Sequence, residues 1–305
     1  MDTLAFGAIK DCRRLTNGTV ELVITASVGP RVVRYGFPGG QNLLGEYPDE
    51  VVPTPMGPLH LLGGHRLWAA PELMEITYAP DDAPVKVKEE GPLAAVFTQS
   101  VDQAGLEKEI RVALDAKGTG VTLRHRITNR RKAAIEIAPW ALSVMRDGTA
   151  IIPAEPYKSH DEYFLPARPF VLWHYTDLAD PRFTFGKKYV RMTALAPVTE
   201  PTKIGFGNRQ GWVAFAARGE LFVKTFPWKD GAAYLDMGCN CEFYTVKKFL
   251  EVESLGPLAK VAPGESVEHT ERWGLWRNVD TTGDDAALDR ALAPVKAFVG
   301  GGSAG

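Results

Sequence analysis

The sequence has no excess of positive charge: 35 Lys and Arg stand against 37 Asp and Glu, for a formal net charge of -2. Nucleic-acid binders rely on clustered cations to neutralise phosphates, so this balance argues against a nucleic-acid partner. Cysteine is scarce too. Cys12, Cys239 and Cys241 cannot all pair, and the last two stand too close along an extended chain to bridge comfortably, so no disulfide framework is expected. A Cys-x-Cys with no second pair of ligands nearby gives no zinc site, and neither a metal nor another cofactor is expected. No apolar run approaches the roughly 18 residues of a membrane span, and the N-terminal MDTLAFGAIKDCRR lacks the apolar stretch of a secretion signal. The expectation is a cytoplasmic protein without a membrane partner, or a periplasmic one if a leader has been removed. The chain contains no G-x-S-x-G, no P-loop lysine motif and no H-E-x-x-H, so hydrolase, nucleotide-binding and metalloprotease readings have no motif behind them.

Helical periodicity is also missing until the end of the chain. In its place are 30 glycines and 22 prolines punctuating short runs of alternating apolar and polar residues. Such runs begin at Thr19 and recur at 94–99, 106–114, 120–128, 134–145, 189–195, 212–216, 221–225, 241–247, 250–253 and 266–275. Many short strands joined by Gly, Pro, Asp and Asn turns predict an all-β chain, a large antiparallel β supersandwich rather than a parallel α/β sheet. Near the C-terminus Leu288, Leu292, Val295 and Phe298 fall at helical spacing, with Pro294 among them, which predicts one short helix over 284–298 packed against a sheet. Residues 1–299 read as one domain and 300–305 as a flexible tail. The segment 151–186, dense in Pro, His, Tyr and Trp, reads as long loops of the kind that carry binding residues.

The stretch most suggestive of chemistry is FLEVESLGPLAKVAPGESVEH, residues 249–269. Along a strand side chains alternate, so Phe249, Glu251 and Glu253 share one face and Leu250, Val252 and Ser254 the other. Two carboxylates about 7 Å apart on one face raise each other's pKa if the site is dry; a solvated polar face is the plainer alternative. The second stretch, LLGGHRLWAAPE, brings together His65, Arg66, Trp68 and Glu72 after a Gly pair. An aromatic plate for a sugar's C–H face beside polar groups for its hydroxyls suits a polyhydroxylated ligand; a turn with a cation on an aromatic ring is the alternative. Trp140, Trp173 and His174 extend the candidates, His174 as an acid or base. Lys224 interrupts an apolar strand, either inward beside the glutamates or outward as a guard on an edge. His125, between two arginines, reads as solvated, and His269 as outward-facing.

Taken in order, these pieces resemble the galactose mutarotase (aldose 1-epimerase) superfamily, in a divergent bacterial branch. The correspondence runs through GPRVVRYGF with Asn42-Leu43-Leu44 after it, Gly63-Gly64, a Thr-Asn run before Trp140, a late strand with a glutamate, and Pro263-Gly264-Glu265 leading to His269. The resemblance implies a large supersandwich, a small-molecule carbohydrate partner, and anomer interconversion by proton transfer at the anomeric hydroxyl and the ring oxygen. It implies that Glu253, or its neighbour Glu251, is the base, with His65 or His174 as acid, and that Arg66, Trp68, Glu72, Trp140, Trp173 and Lys224 bind substrate. Two departures stand out. The family's histidine acid would fall near Pro139 or Trp140, where this chain has none, and the family's His-Gly-Gly is here Leu62-Gly63-Gly64-His65. Three readings follow: an aldose 1-epimerase-like isomerase, a non-catalytic carbohydrate-binding or regulatory protein that keeps the cleft, and a polysaccharide lyase or hydrolase, which the near-neutral charge disfavours.

Overall fold

A computed structural model describes residues 1–247 and 249–300 and arranges the alternating segments in two large antiparallel sheets and a separate hairpin. The larger sheet runs from Asp2–Phe6 through Ile9–Thr16, Glu21–Thr25, Val32–Gly36, His65–Ala70, Ile135–Arg146, Phe249–Leu255, Cys241–Val246 and Thr202–Phe206 to Phe170–Leu172, with Ala259–Val261 paired to Ile135–Arg146. The other runs from Phe183–Phe185 through Tyr189–Thr193, Thr149–Pro153, Trp212–Ala217, Glu220–Thr225, Ser266–Arg277, Val121–Asn129, Leu106–Leu114 and Ala94–Thr98 to Lys86–Glu89. Their facing sides bury one continuous core that includes Leu22, Phe97, Ile110, Leu123, Phe243, Val252 and Trp273. This is the all-β supersandwich the alternation predicts. No helix among the described residues is long and apolar enough to cross a membrane.

Several strands escaped the pattern. The hairpin Glu46–Thr54 with Gly57–Gly63 contains Pro48, Pro53 and Pro58, and Pro53 even pairs with Pro58. Proline removes a ladder donor, so it argues against an interior strand. Here the two strands stand apart from the large sheets and have edges to spare. At the close of this hairpin Gly63 and Gly64 adopt φ of +82° and +73°, and a Cβ on either would lie 2.0 Å from Gly45 O or 2.5 Å from Val32 O. The close backbone approach seats the strand His65–Ala70 at the centre of the sheet. Gly64→Ala is therefore expected to destabilise the fold by more than about 1 kcal/mol, read as a fall in the urea midpoint, because the backbone cannot give way as a side chain would.

The helical spacing near the C-terminus is realised, in two pieces divided near Pro294. Two short helices form, Asp285–Ala291 and Ala293–Gly300. Asp284 caps the first, its side chain accepting from Ala287 N. Proline has no N–H and its ring collides with the carbonyl four residues earlier, so Pro294 ends one helix and is tolerated only in the first turn of the next. Leu288, Leu292 and Val295 are buried against Ile151, Trp212 and Leu221 of the smaller sheet. Gly300 belongs to the second helix rather than to a tail; 301–305 lie outside the described residues. Cys12, Cys239 and Cys241 are free and buried.

Candidate functional site

Five neighbouring strands of the larger sheet, His65–Ala70, Ile135–Arg146, Phe249–Leu255, Cys241–Val246 and Thr202–Phe206, present alternate residues away from the second sheet. Their registers fix the pattern. Trp140 lies opposite Trp68 and Leu142 opposite Arg66, Glu251 opposite Tyr244 and Glu253 opposite Glu242, and Lys203 opposite Tyr244. The proline-rich hairpin adds Tyr47, Glu50, Val52 and Leu61, and loops bring Glu72, Tyr78 and Tyr175. Together they enclose a cleft of about 750 Å³, the size of a small-molecule site. Trp68 meets Trp140 edge to face at 5.5 Å and Tyr78 at 5.1 Å, so much of the wall is aromatic ring.

Charge in this cleft is deployed unevenly. Lys203 is buried between Trp140 and Trp173, at 4.7 and 4.8 Å from their rings, and bonds Glu242 at 2.7 Å and Glu253 at 3.1 Å. Burial would lower its pKa, but the two carboxylates outweigh burial and hold the ammonium well above its ordinary value. Arg66 is equally buried and lies 4.4 Å over Trp68, yet none of its guanidinium nitrogens has a hydrogen-bond partner. Burial, and then Arg31, push it down to about 10, so it stays charged at neutral pH. Glu251 is half-buried on the cleft wall, and its carboxyl is pushed up to about 8 by burial and by Glu253, against the pull of Arg66 and Lys203.

Of the residues singled out in the sequence, Arg66, Trp68, Glu72, Trp140 and Glu251 line the cleft together. Glu253 shares their face of the sheet but is fully buried behind Trp140, whose Nε1 donates to Glu253 Oε2 at 2.8 Å. Trp173 backs Lys203, and His174 is an exposed loop residue away from the wall. His65 and Lys224 are not in the cleft at all. His65 alternates with Arg66 and so points into the sandwich, and Lys224 is fully buried there. Lys203, Glu242, Tyr78 and Tyr244 went unnoticed in the sequence, and Tyr175 stood out there only as a neighbour of Trp173 and His174. Lys203 carried the same signal as Lys224, a lone cation in the apolar strand Thr202–Phe206.

Inside the sandwich a second polar cluster joins the two sheets. His125 Nδ1 donates to His269 O, which leaves His125 Nε2 to accept from His65 Nε2 at 2.8 Å; His65 Nδ1 then accepts from Ser143 Oγ at 2.9 Å. Glu271 takes bonds from Lys224 at 2.7 Å, Ser254 Oγ at 2.5 Å and Trp273 Nε1 at 2.8 Å, and His269 Nε2 donates to Ser254 Oγ. His125 and His269 are thus buried, not solvated or outward as the sequence suggests. The arginines that flank His125, and the Glu268 and Thr270 that flank His269, lie on the other face of their strands, because the period is two. His65, His125 and Glu271 also bring three ligand atoms within 4.8 Å of one another. These atoms already bond each other or Lys224 and Trp273, and the Lys224 ammonium beside them opposes a further cation.

Burial pushes all three imidazoles down, His269 to about 3, whereas unfolding returns them to about 6.5. Below that pH the unfolded chain takes up protons that the folded chain refuses, so stability falls as pH falls. Glu251 and Glu242, both raised by burial, work the other way: they favour the folded state at low pH, and lose that contribution as pH rises from about 4.5 through their folded values. Burial pushes Glu271 up, but Lys224 outweighs it and holds the carboxyl well below the carboxylate range. Between about 6.5 and 4.5 the raised glutamates oppose the lowered histidines and flatten the slope; below 4.5, the ordinary glutamate value, that opposition ends and Glu271 adds to the loss of stability. Each proton contributes about 1.4 kcal/mol per pH unit, so urea midpoints measured across pH should show a limb that steepens below 4.5, and a flat limb would contradict neutral buried histidines.

No protein-family model matches the sequence, and neither does any curated protein. Solved structures do. A galactose mutarotase-like protein from Lactobacillus casei superposes with a TM-score of 0.54 at 10% identity, over 87% of this chain and 100% of that one. A galactose mutarotase related enzyme from Lactobacillus acidophilus gives 0.51 at 6% identity, over 89% and 99%. A TPR-domain containing protein from Parabacteroides distasonis gives 0.57 at 12%, over 90% of this chain and 49% of that one. The chain has the galactose mutarotase-like fold, and that fold also occurs as part of a longer chain.

Proposed function

We propose that the protein binds a monosaccharide in this cleft and interconverts its anomers, with Glu251 moving the proton. The observation that carries the reading is the position of Glu251 on an aromatic cleft wall, where burial and the neighbouring Glu253 push its carboxyl up to about 8. Protonated at pH 7, such a carboxyl has a hydroxyl donor on one oxygen and an acceptor on the other. In mutarotation the anomeric hydroxyl loses a proton and the ring oxygen gains one as the bond between that oxygen and the anomeric carbon breaks. Both oxygens sit on the same carbon, so one carboxyl can protonate the ring oxygen while accepting the hydroxyl proton, and it ends as it began, protonated. Rotation of the open-chain aldehyde and the reverse transfer close the ring on the other face. No histidine acid is required. The likeness of fold to galactose mutarotase-like proteins supports the substrate class. Proton NMR of freshly dissolved α-anomers, with and without protein, is the test: acceleration is expected, and none across a panel of aldoses overturns the proposal. A second reading, binding without turnover, is favoured by one observation, that no histidine among the described residues lines the cleft. It predicts calorimetric binding with no acceleration.

A further inference from the structure

We propose that the preferred ligand is a sugar acid, whose carboxylate docks on the Arg66 guanidinium while its ring lies against Trp68 and Trp140. The inference rests on the carbohydrate reading of the cleft and narrows its substrate class. A buried guanidinium is ordinarily paired, because its donors lose water and must find acceptors. Arg66 lines the cleft with its guanidinium nitrogens buried and without hydrogen-bond partners, the Trp68 ring 4.4 Å away, and Arg31, Glu251, Asp81 and Tyr78 near enough to act on its charge. A ring face attracts the charge but leaves the in-plane N–H donors unsatisfied. Those donors form a planar fork whose natural complement is a carboxylate held by two parallel bonds.

The other charges of the wall point to a monoanion. Lys203 is already held by Glu242 and Glu253. Lys247 stands exposed at the rim, where solvent and salt screen it. Glu72 accepts from the Tyr78 hydroxyl, Glu50 is exposed, and Glu251, neutral at pH 7, leaves Arg66 uncancelled. A single buried positive charge therefore awaits an acceptor. A phosphate monoester, at nearly two negative charges, would leave charge unbalanced in a largely apolar cleft. The aromatic plates require the rest of the ligand to present C–H faces, which a pyranose uronate does.

Calorimetry at pH 7 with D-galacturonate and D-glucuronate, against D-galactose, D-glucose and glucose 6-phosphate, tests this. At least one uronate is expected to bind about tenfold or more tightly than its neutral counterpart, as a charge-assisted pair implies. The preference should survive added salt, and a preference that salt abolishes would assign it to Lys247 and overturn the proposal. Arg66→Met should bring the ratio to about one, and Arg66→Lys, which keeps the charge without the fork, should lose most of the preference. The wild-type ratio decides even if a variant fails to fold. Equal affinity for uronate and neutral sugar, or tighter binding of the phosphate, overturns the sugar-acid proposal while the carbohydrate reading stands; no binding by any of the five overturns both.

Discussion

Replacing Glu251 with glutamine is expected to lower the rate of anomer interconversion about a hundred- to ten-thousand-fold, the usual worth of a positioned acid–base group. The amide keeps the size of the side chain and both a donor and an acceptor, so sugar binding should persist. What it cannot do is give up one proton while gaining another. The pH profile adds a second signature. Since the working form is the protonated one and its pKa lies at about 8, the rate should hold through neutrality and fall about tenfold per pH unit above 8. A carboxylate acting as a simple base would show the reverse, rising with pH to a plateau. Glu253→Gln separates the two glutamates, since Glu253 lies behind Trp140 and away from the cleft wall. A loss there as large as that at Glu251 would return the proton-transfer role to Glu253.

The largest effect on stability is expected at the Lys224–Glu271 pair. Lys224→Met removes the ammonium from a carboxylate that has no access to water, and an uncompensated buried charge costs about 3–5 kcal/mol. Glu271→Leu alone should cost a similar amount, because Lys224 would keep only neutral acceptors, Ser143 Oγ and the carbonyls of Ala141 and Val252. The double variant should recover most of the loss, since apolar side chains of similar volume replace the pair without leaving a charge behind. Urea unfolding of the four proteins measures the coupling directly. Strict additivity of the two single losses would show that the pair does not act as a unit.

These two sites mark how far the sequence is readable. Alternation told correctly that Glu251 and Val252 face opposite ways, and it told that the chain is a sandwich, because period-two patterning is a local property. It could not tell which face of a strand is covered, because that depends on partners distant in the chain. His65 and Arg66 are neighbours in sequence, yet one belongs to the interior and the other to the cleft; read as a turn, the two fall together. His125 appears solvated only if its arginine neighbours are taken to share its surroundings. Lys203 was missed for a related reason: prolines precede its strand, and the cation acquires meaning only when Glu242, Glu253, Trp140 and Trp173 converge on it from other segments. Resemblance pointed to a late glutamate, and the burial of Glu253 behind Trp140 emerges only from the packed strands.

The inter-sheet cluster also acts as an index. Lys224, His125, His269 and Glu271 stand on one sheet, and Ala141, Ser143, Val252, Ser254 and His65 on the other. Apolar surfaces tolerate sliding, because one methyl group replaces another at little cost. A set of directional bonds does not, and a shift of one residue along either sheet would strand a carboxylate and an ammonium in hydrocarbon. Mis-stacked arrangements are thereby raised in energy above the native one, which widens the gap that makes a fold unique. The apolar double variant, though comparably stable, should accordingly bind hydrophobic dye more readily and lose dispersion in its NMR spectrum. The strands that carry His65, Ser143, Val252 and Ser254 into this cluster on their inner side carry Arg66, Trp68, Trp140 and Glu251 on their outer side, so one set of strands serves both the joint between the sheets and the cleft wall.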